Sequence, residues 1–200
     1  MQKALTFVPF LRIFGKRPAK TMSIQDNIQA AAAGDHRAFA AIVEQYRQMV
    51  WRVALRMLGN PDEAEDAVQE TFIRAWKTLP GFDRRYSPAT WLGTIAARLC
   101  CDILRKRSAH RKFEADAAWS NAQERAADPE SGSIARELED RLLRVTRTLS
   151  PMQRTVFVLH EIEQLPFEEI RRATGWSPVQ LKSNLYLARQ KVRRTLEKEL

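Results

Sequence analysis

Asp62, Glu63, Glu65, Asp66 and Glu70 crowd carboxylates into one short stretch of the chain. At that density they could bind a divalent cation or supply an acid and a base, as in a metal-dependent nuclease. Such chemistry needs oxygens that converge in a cleft, whereas these acids lie near the start of a single helix beside an apolar stripe. A docking surface for a basic partner, or a plain solvated face, fits the pattern better than catalysis. Cys100 and Cys101 are the other reactive candidates, but neighbours on a helix point in different directions and cannot easily meet disulfide geometry. Reduced thiols that pack inside a cytoplasmic protein are expected. One cysteine pair with three scattered histidines is a weak metal signal, so neither metal nor cofactor is expected.

Two helices between Asn60 and Arg107 must position these groups. Each opens on a capping residue followed by proline, Asn60-Pro61 and Ser87-Pro88, a pairing that starts a helix sharply. In the first, Ala64, Ala67, Val68, Thr71, Phe72, Ala75, Trp76 and Leu79 recur at three and four, so one face is core and the other acidic. Carboxylates there also complement the helix dipole. In the second, Trp91, Leu92, Ile95, Ala96, Leu99, Ile103 and Leu104 form the apolar stripe, which runs out into Arg105, Lys106, Arg107, Arg111 and Lys112. An acidic face and a basic helix in one unit point to two partners of opposite charge.

The whole chain has 200 residues and a net charge of +9, with an isoelectric point of 10.0, so a polyanion is the first partner to consider. Charge is also segregated. Residues 171–200 carry a net +6, whereas residues 114–130 carry −4. Residues 1–21 have a basic start and an apolar patch interrupted by Pro9 and Arg12, too short for a membrane span and without a cleavage site directly after it. They read as a disordered extension with Met22 as the natural start, and no direct membrane insertion is expected. Residues 22–112 read as one helical domain, in which Asp35 caps a long helix carrying Phe39, Ile42, Val43, Tyr46, Val50, Val53, Ala54, Met57 and Leu58, ended by Gly59. Tyr46 and Trp51 are the residues there that could face a partner. Residues 113–133 read as a flexible acidic linker in which Phe113 and Trp119 could dock.

Residues 134–200 form the second domain. Ile134, Leu138, Leu142 and Val145 mark one helix, Ser150-Pro151 starts another with Val156, Phe157, Leu159 and Ile162, and Leu149 and Met152 join that core. A short helix from Phe167 then stops at Gly175, and Ser177-Pro178 starts a last helix with Val179, Leu181, Leu185, Ala188 and Val192 expected to face inward. A short helix, a glycine turn and a capped basic helix make a helix-turn-helix, whose second helix enters the major groove N-terminus first. The fold class is all-α, two small helical domains on a flexible linker.

The run Asp66-Ala-Val-Gln-Glu-Thr-Phe72, with Arg74-Ala-Trp76, Phe82, Trp91-Leu92 and Ile95-Ala96, resembles the promoter-melting domain of bacterial extracytoplasmic-function sigma factors. The stretches LSPMQRTVFVLHEIEQLPFEEI and GWSPVQLKSNLYLARQKVR are similar to the minus-thirty-five-binding domain of the same family. Both matches fall in the family order, over roughly residues 34–112 and 134–197. The resemblance implies a non-enzymatic initiation subunit whose partners are core RNA polymerase, promoter DNA and an anti-sigma factor.

The resemblance also assigns residues. Asp66, Gln69, Glu70 and Phe72 correspond to the polymerase-docking face. Thr78, Phe82 and Arg98 correspond to the pocket for a flipped minus-ten base, where the family often has alanine and asparagine at the positions of Thr78 and Arg98. Arg84, Arg85 and Tyr86 supply charge and a stacking ring, and Arg105, Lys106 and Arg107 grip phosphates. On the last helix Ser177, Gln180, Lys182, Ser183, Asn184, Tyr186 and Arg189 are the minus-thirty-five candidates, glutamine and asparagine suiting adenine and lysine guanine. A stand-alone helix-turn-helix regulator is the competing reading, and it leaves the acidic face of Asp66 and Glu70 unexplained.

Overall fold

The computed structural model describes residues 22–115 and 134–198. The expected N-terminal extension, and the linker over residues 116–133 with Trp119, lie outside the described residues. All regular structure within them is helical: α1 Ile24–Ala32, α2 His36–Leu58, α3 Pro61–Thr78, α4 Pro88–Ala115, α5 Ile134–Arg147, α6 Pro151–Val156, α7 Phe167–Thr174 and α8 Pro178–Glu197. A 3-10 turn, Leu79–Gly81, follows α3. Helix α4 extends to Ala115, three residues into the stretch read as linker.

Local chemistry sets the boundaries. The Asn60 side chain accepts from the Glu63 amide at 3.1 Å, and Ser87 Oγ accepts from the Thr90 amide at 3.1 Å. Ser150 with Gln153, and Ser177 with Gln180, close reciprocal capping boxes ahead of Pro151 and Pro178. Gly59 and Gly175 end α2 and α7 in the left-handed region, at φ 70° each, which favours glycine.

Helix α2 is the central strut, packing on α1, α3 and α4 through the fully buried Ile42, Val50, Val53, Ala54 and Met57. The core does not stop at the end of the first domain. Val156, Leu159, Leu165, Ile170, Leu181 and Leu185 of the second domain join the same apolar cluster. Gly93 marks a close approach of apolar side chains: a Cβ there would sit 3.2 Å from Leu159 Cδ2 and 3.3 Å from Leu165 Cδ1. The two helical domains are thus docked, an arrangement that reading them as separate modules on a linker did not foresee.

Docking is shaped by a feature with no sequence signature. Helix α6 widens into a π turn over Phe157–Ile162, and the next residues reverse the chain, with Gln164 at φ 55°. Glu163 is thereby pushed against α2. Its carboxylate, 4 % exposed, accepts from Arg52 Nη2 at 2.7 Å and from Arg56 Nη1 at 2.6 Å. Arg154, 7 % exposed, stitches helix ends together: it donates to the carbonyls of Met57 at 2.5 Å, Arg147 at 3.0 Å and Leu149 at 3.3 Å. Carbonyls at helix C-termini lack intrahelical partners, and a guanidinium satisfies several at once. Arg147 does the same for Gly59, at 2.9 Å.

One expected core residue is not in the core. Val179 is 76 % exposed, whereas Leu181, Leu185 and Ala188 are buried as expected. Leu181, Leu185, Ala188 and Val192 are spaced four, three and four apart, so they define the inward face of α8. Val179 precedes Leu181 by two residues, about 200° around the helix, and so falls on the opposite face.

Candidate nucleic-acid interface

The acidic stretch lies on the first half of α3 with its carboxylates facing away from the core, and among the described residues it forms no metal-binding cluster. Glu63 pairs with Arg107, Glu65 with Arg47 at 3.3 Å and Glu70 with Arg74 at 2.7 Å. Asp62, Asp66 and Gln69 remain exposed. What the face can do is present negative charge and hydrogen-bond acceptors to a basic surface. Phe72 does not share in it. The ring is 4 % exposed and meets Phe39 edge to face at 6.4 Å, because position 72 falls on the α3 stripe with Val68 and Ala75. It holds α3 on α2.

Beyond α3 lies the loop that the resemblance assigns to the minus-ten element. Thr78 is exposed, its Oγ1 donating to Arg74 O at 2.9 Å. The Phe82 ring lies 4.7 Å from Trp91 at 44°, half-buried, which leaves aromatic surface beside the loop for a base to stack on. Arg84 is exposed, and Arg85, also exposed, is clamped by Asp83, with Nη2 2.6 Å from Oδ2. The hydrogen bonds from Arg85 hold the Asp83 carboxyl below its usual range. Tyr86 is half-buried at the end of the same turn.

The basic residues of α4 are divided. Arg105, paired with Asp102 at 3.3 Å, and Lys106 are exposed, but Arg107 turns back to Glu63 and serves the fold. Arg98 is engaged by the second domain instead: its Nη2 donates to Ala173 O at the end of α7, at 2.8 Å. A cleft of about 350 Å³ opens there between the domains, lined by Arg98, Cys101, Arg105, Met152, Thr155 and Trp176 among others.

Both cysteines are free and buried. Burial pushes the Cys100 thiol up to about 12 and also raises Cys101, whose Sγ lies 3.2 Å from Thr155 Oγ1.

Helices α7 and α8 meet at the Gly175 turn, as a helix-turn-helix requires. Lys182 and Ser183 are exposed, and so is Tyr186, whose hydroxyl accepts from Gln190 Nε2 at 2.6 Å. Several of the polar candidates are already engaged. Gln180 Oε1 accepts from the Ser177 amide at 3.0 Å, and Ser177 Oγ accepts from the Gln180 amide at 3.2 Å. Asn184 Nδ2 donates to Gln180 O at 2.8 Å, and Arg189 pairs with Glu161 at 2.7 Å.

A further site residue had no motif to announce it. Glu169 of α7 accepts from the Ser87 amide at 3.0 Å and from Thr90 Oγ1 at 2.7 Å, which places a carboxylate on the N-terminus of α4, where anions are favoured. Burial raises its pKa, but the hydrogen bonds from Thr90 and Ser87 outweigh that and hold it below its usual value. No local pattern identifies such a contact, since its partners lie about eighty residues apart.

Residues 42–110 match the family model for Sigma-70 region 2, and residues 139–192 match the model for Sigma-70 region 4. The ECF RNA polymerase sigma factor SigW of Bacillus subtilis is 32 % identical over 182 residues, covering 88 % of this chain and 97 % of the relative. The ECF sigma factor SigE of Mycolicibacterium smegmatis is 31 % identical over 84 % of this chain, which spans 66 % of that longer relative. Two solved structures share the fold. CnrH, in complex with the cytosolic domain of CnrY, superposes with a TM-score of 0.66 at 22 % identity, over 90 % of this chain and 100 % of the other. RpoE of Bartonella quintana, in complex with the anti-sigma factor NepR, gives 0.62 at 21 % identity, over 80 % and 96 %.

Proposed function

The chain belongs to the extracytoplasmic-function sigma factors of the sigma-70 family, and on that premise we propose how its two halves divide the work of starting transcription. It is a transcription initiation factor that binds core RNA polymerase and directs it to promoters. Asp66, Gln69 and Glu70 meet the polymerase, Glu70 first leaving Arg74. Thr78, Phe82, Arg84, Arg85 and Tyr86 receive a base unstacked from the minus-ten element. Unstacking costs a few kcal/mol, which stacking and polar contacts recover. Arg98, Arg105 and Lys106 follow the backbone, and α8 reads the minus-thirty-five element. The protein acts in the cytoplasm, performs no catalysis of its own, and is held silent by an anti-sigma partner.

The observation that carries this reading is the presence on one chain of an exposed acidic helix face and a helix-turn-helix. A stand-alone regulator needs only the second.

Use of both promoter elements requires the docked domains to part. Two elements named for positions −10 and −35 are about 25 base pairs apart, roughly 85 Å along B-DNA at about 3.4 Å per pair. A compact body of this size has a radius of gyration near 15 Å, hence a diameter of about 40 Å. Closed, the molecule reaches one element or the other.

The test is run-off transcription with bacterial core RNA polymerase on a genomic fragment library, with the wild-type chain and with Asp66→Arg/Glu70→Arg. Both positions lie on the surface of α3, so the double variant keeps its fold. New starts sharing two spaced upstream motifs, lost with the variant, are expected. Discrete DNA binding by the protein alone, with no new starts, would instead establish the stand-alone regulator.

A further inference from the structure

Helix α8 turns an apolar face to solvent that the polar readout candidates do not account for. Val179, in the first turn, is 76 % exposed; Tyr186 is 61 % and Leu187 44 % exposed. With Ser183 they occupy positions i, i+4, i+7 and i+8, one face of the helix. Nothing in the fold needs a β-branched aliphatic side chain at Val179, since its neighbours in the core begin with Leu181. Meanwhile Gln180 and Asn184, the residues best suited to pair with adenine, use hydrogen-bonding groups within the cap and the helix. The N-terminal turn of α8 therefore presents to solvent a branched hydrocarbon that was expected to face inward.

In the major groove the prominent apolar feature at base edges is the C5-methyl of thymine. A recognition helix enters the groove with its N-terminal residues against base edges, which puts Val179 ahead of Lys182 and Tyr186. We propose that Val179 reads the methyl group of one thymine in the minus-thirty-five element, and so adds a specificity contact to those of Lys182 and Ser183. The occupant is DNA because the surrounding charge selects it: Lys182 lies beside Val179, and residues 171–200 carry a net +6. This inference rests on the promoter-reading role and gives it a base identity.

The experiment replaces each thymine of the minus-thirty-five element by deoxyuridine, one at a time, which removes only the methyl group. Factor-dependent transcription from core polymerase is measured with the full chain at limiting concentration, for wild type and Val179→Ser. At one position the wild type should lose about fourfold, the transfer value of one buried methyl, and Val179→Ser should lose nothing further there. At every other thymine the two proteins should respond alike. The exposed position makes Val179→Ser neutral for folding, and deoxyuridine in the wild-type complex needs no protein variant at all. The proposal is overturned if no deoxyuridine weakens the wild type, or if the sensitive position is equally sensitive with Val179→Ser. It is also overturned if Val179→Ser leaves promoter use untouched and instead weakens binding of a protein partner to α8. Absence of any factor-dependent transcript on the unmodified promoter would overturn the promoter-reading role itself, which separates the two failures.

Discussion

Removal of the Glu163 carboxylate should release the second domain from the first. Glu163 is 4 % exposed and is gripped by Arg56, itself 11 % exposed, and by Arg52, 41 % exposed. Breaking a buried pair by deleting one partner costs about 3–5 kcal/mol, because the remaining charge is left without compensation. The half-open Arg52 can rehydrate, so Glu163→Ala belongs at the lower end, about 3 kcal/mol, roughly a 150-fold fall in the ratio of closed to open molecules. Two assays report it. Small-angle scattering should show a larger radius of gyration with unchanged helix content by circular dichroism. Thiol labelling at pH 8 should accelerate, because Cys101 packs against Thr155 across the domain contact and is shielded only while closed. Glu163→Gln, which keeps shape and loses charge, should fall between. A Glu163→Ala protein with wild-type radius, wild-type labelling rate and unchanged stability would refute the reasoning and assign closure to the apolar contact and to the other hydrogen bonds between the domains.

Two further outcomes follow from the same contact. Arg154→Ala leaves the carbonyls of Met57, Arg147 and Leu149 without their donor, and at about 1–3 kcal/mol for each buried unmet group the loss in urea unfolding should be at least about 3 kcal/mol; Arg154→Lys, a point charge that cannot span three acceptors, should recover less than half. Glu169 should make closure acid-sensitive: its pKa in the folded protein lies below the ordinary 4.5, so its contribution is complete above about 4.5 and is lost as pH falls through the lowered value. Scattering measured from pH 7 downward should show expansion setting in below 4.5, and Glu169→Gln, already looser at pH 7, should flatten that acid response.

Local chemistry made much of the fold legible. The caps at Asn60, Ser87, Ser150 and Ser177 and the stops at Gly59 and Gly175 each depend on a few adjacent residues, and each stands where the spacing predicts. Residues judged by type instead of angle misled. Val179 is apolar and therefore looked internal, although its offset from Leu181 places it outside. Phe72 belongs to both a docking motif and an apolar stripe, and the stripe accounts for its burial, since a ring of that size at a core position cannot be exposed without opening a cavity. Glu163 and Glu169 were beyond reach for another reason. Each acts on partners 79 to 111 residues away, and Glu163 is placed by a π turn that no periodicity encodes.

The closed arrangement also bears on how DNA is bound. Glu161, Glu163 and Glu169 lie on arginines and on a helix N-terminus, the groups to which phosphate oxygens are drawn. Arg98 is engaged across the domain contact by a carbonyl of α7, whereas Arg189 is held by Glu161 within the second domain itself. A promoter that takes up these groups must displace the protein's own acceptors, so opening and DNA binding are linked, and the affinity of the free chain is reduced by the fraction that is closed. A polymerase that captures the acidic face of α3 offers a way around that loss. Once one domain is anchored, the other searches at high local concentration, and each promoter contact becomes effectively intramolecular. Weak contacts by each half then suffice on the enzyme while failing in free solution. On this argument Glu163→Ala should strengthen DNA binding by the isolated chain much more than it strengthens transcription by the assembled enzyme, because only the former still bears the cost of opening.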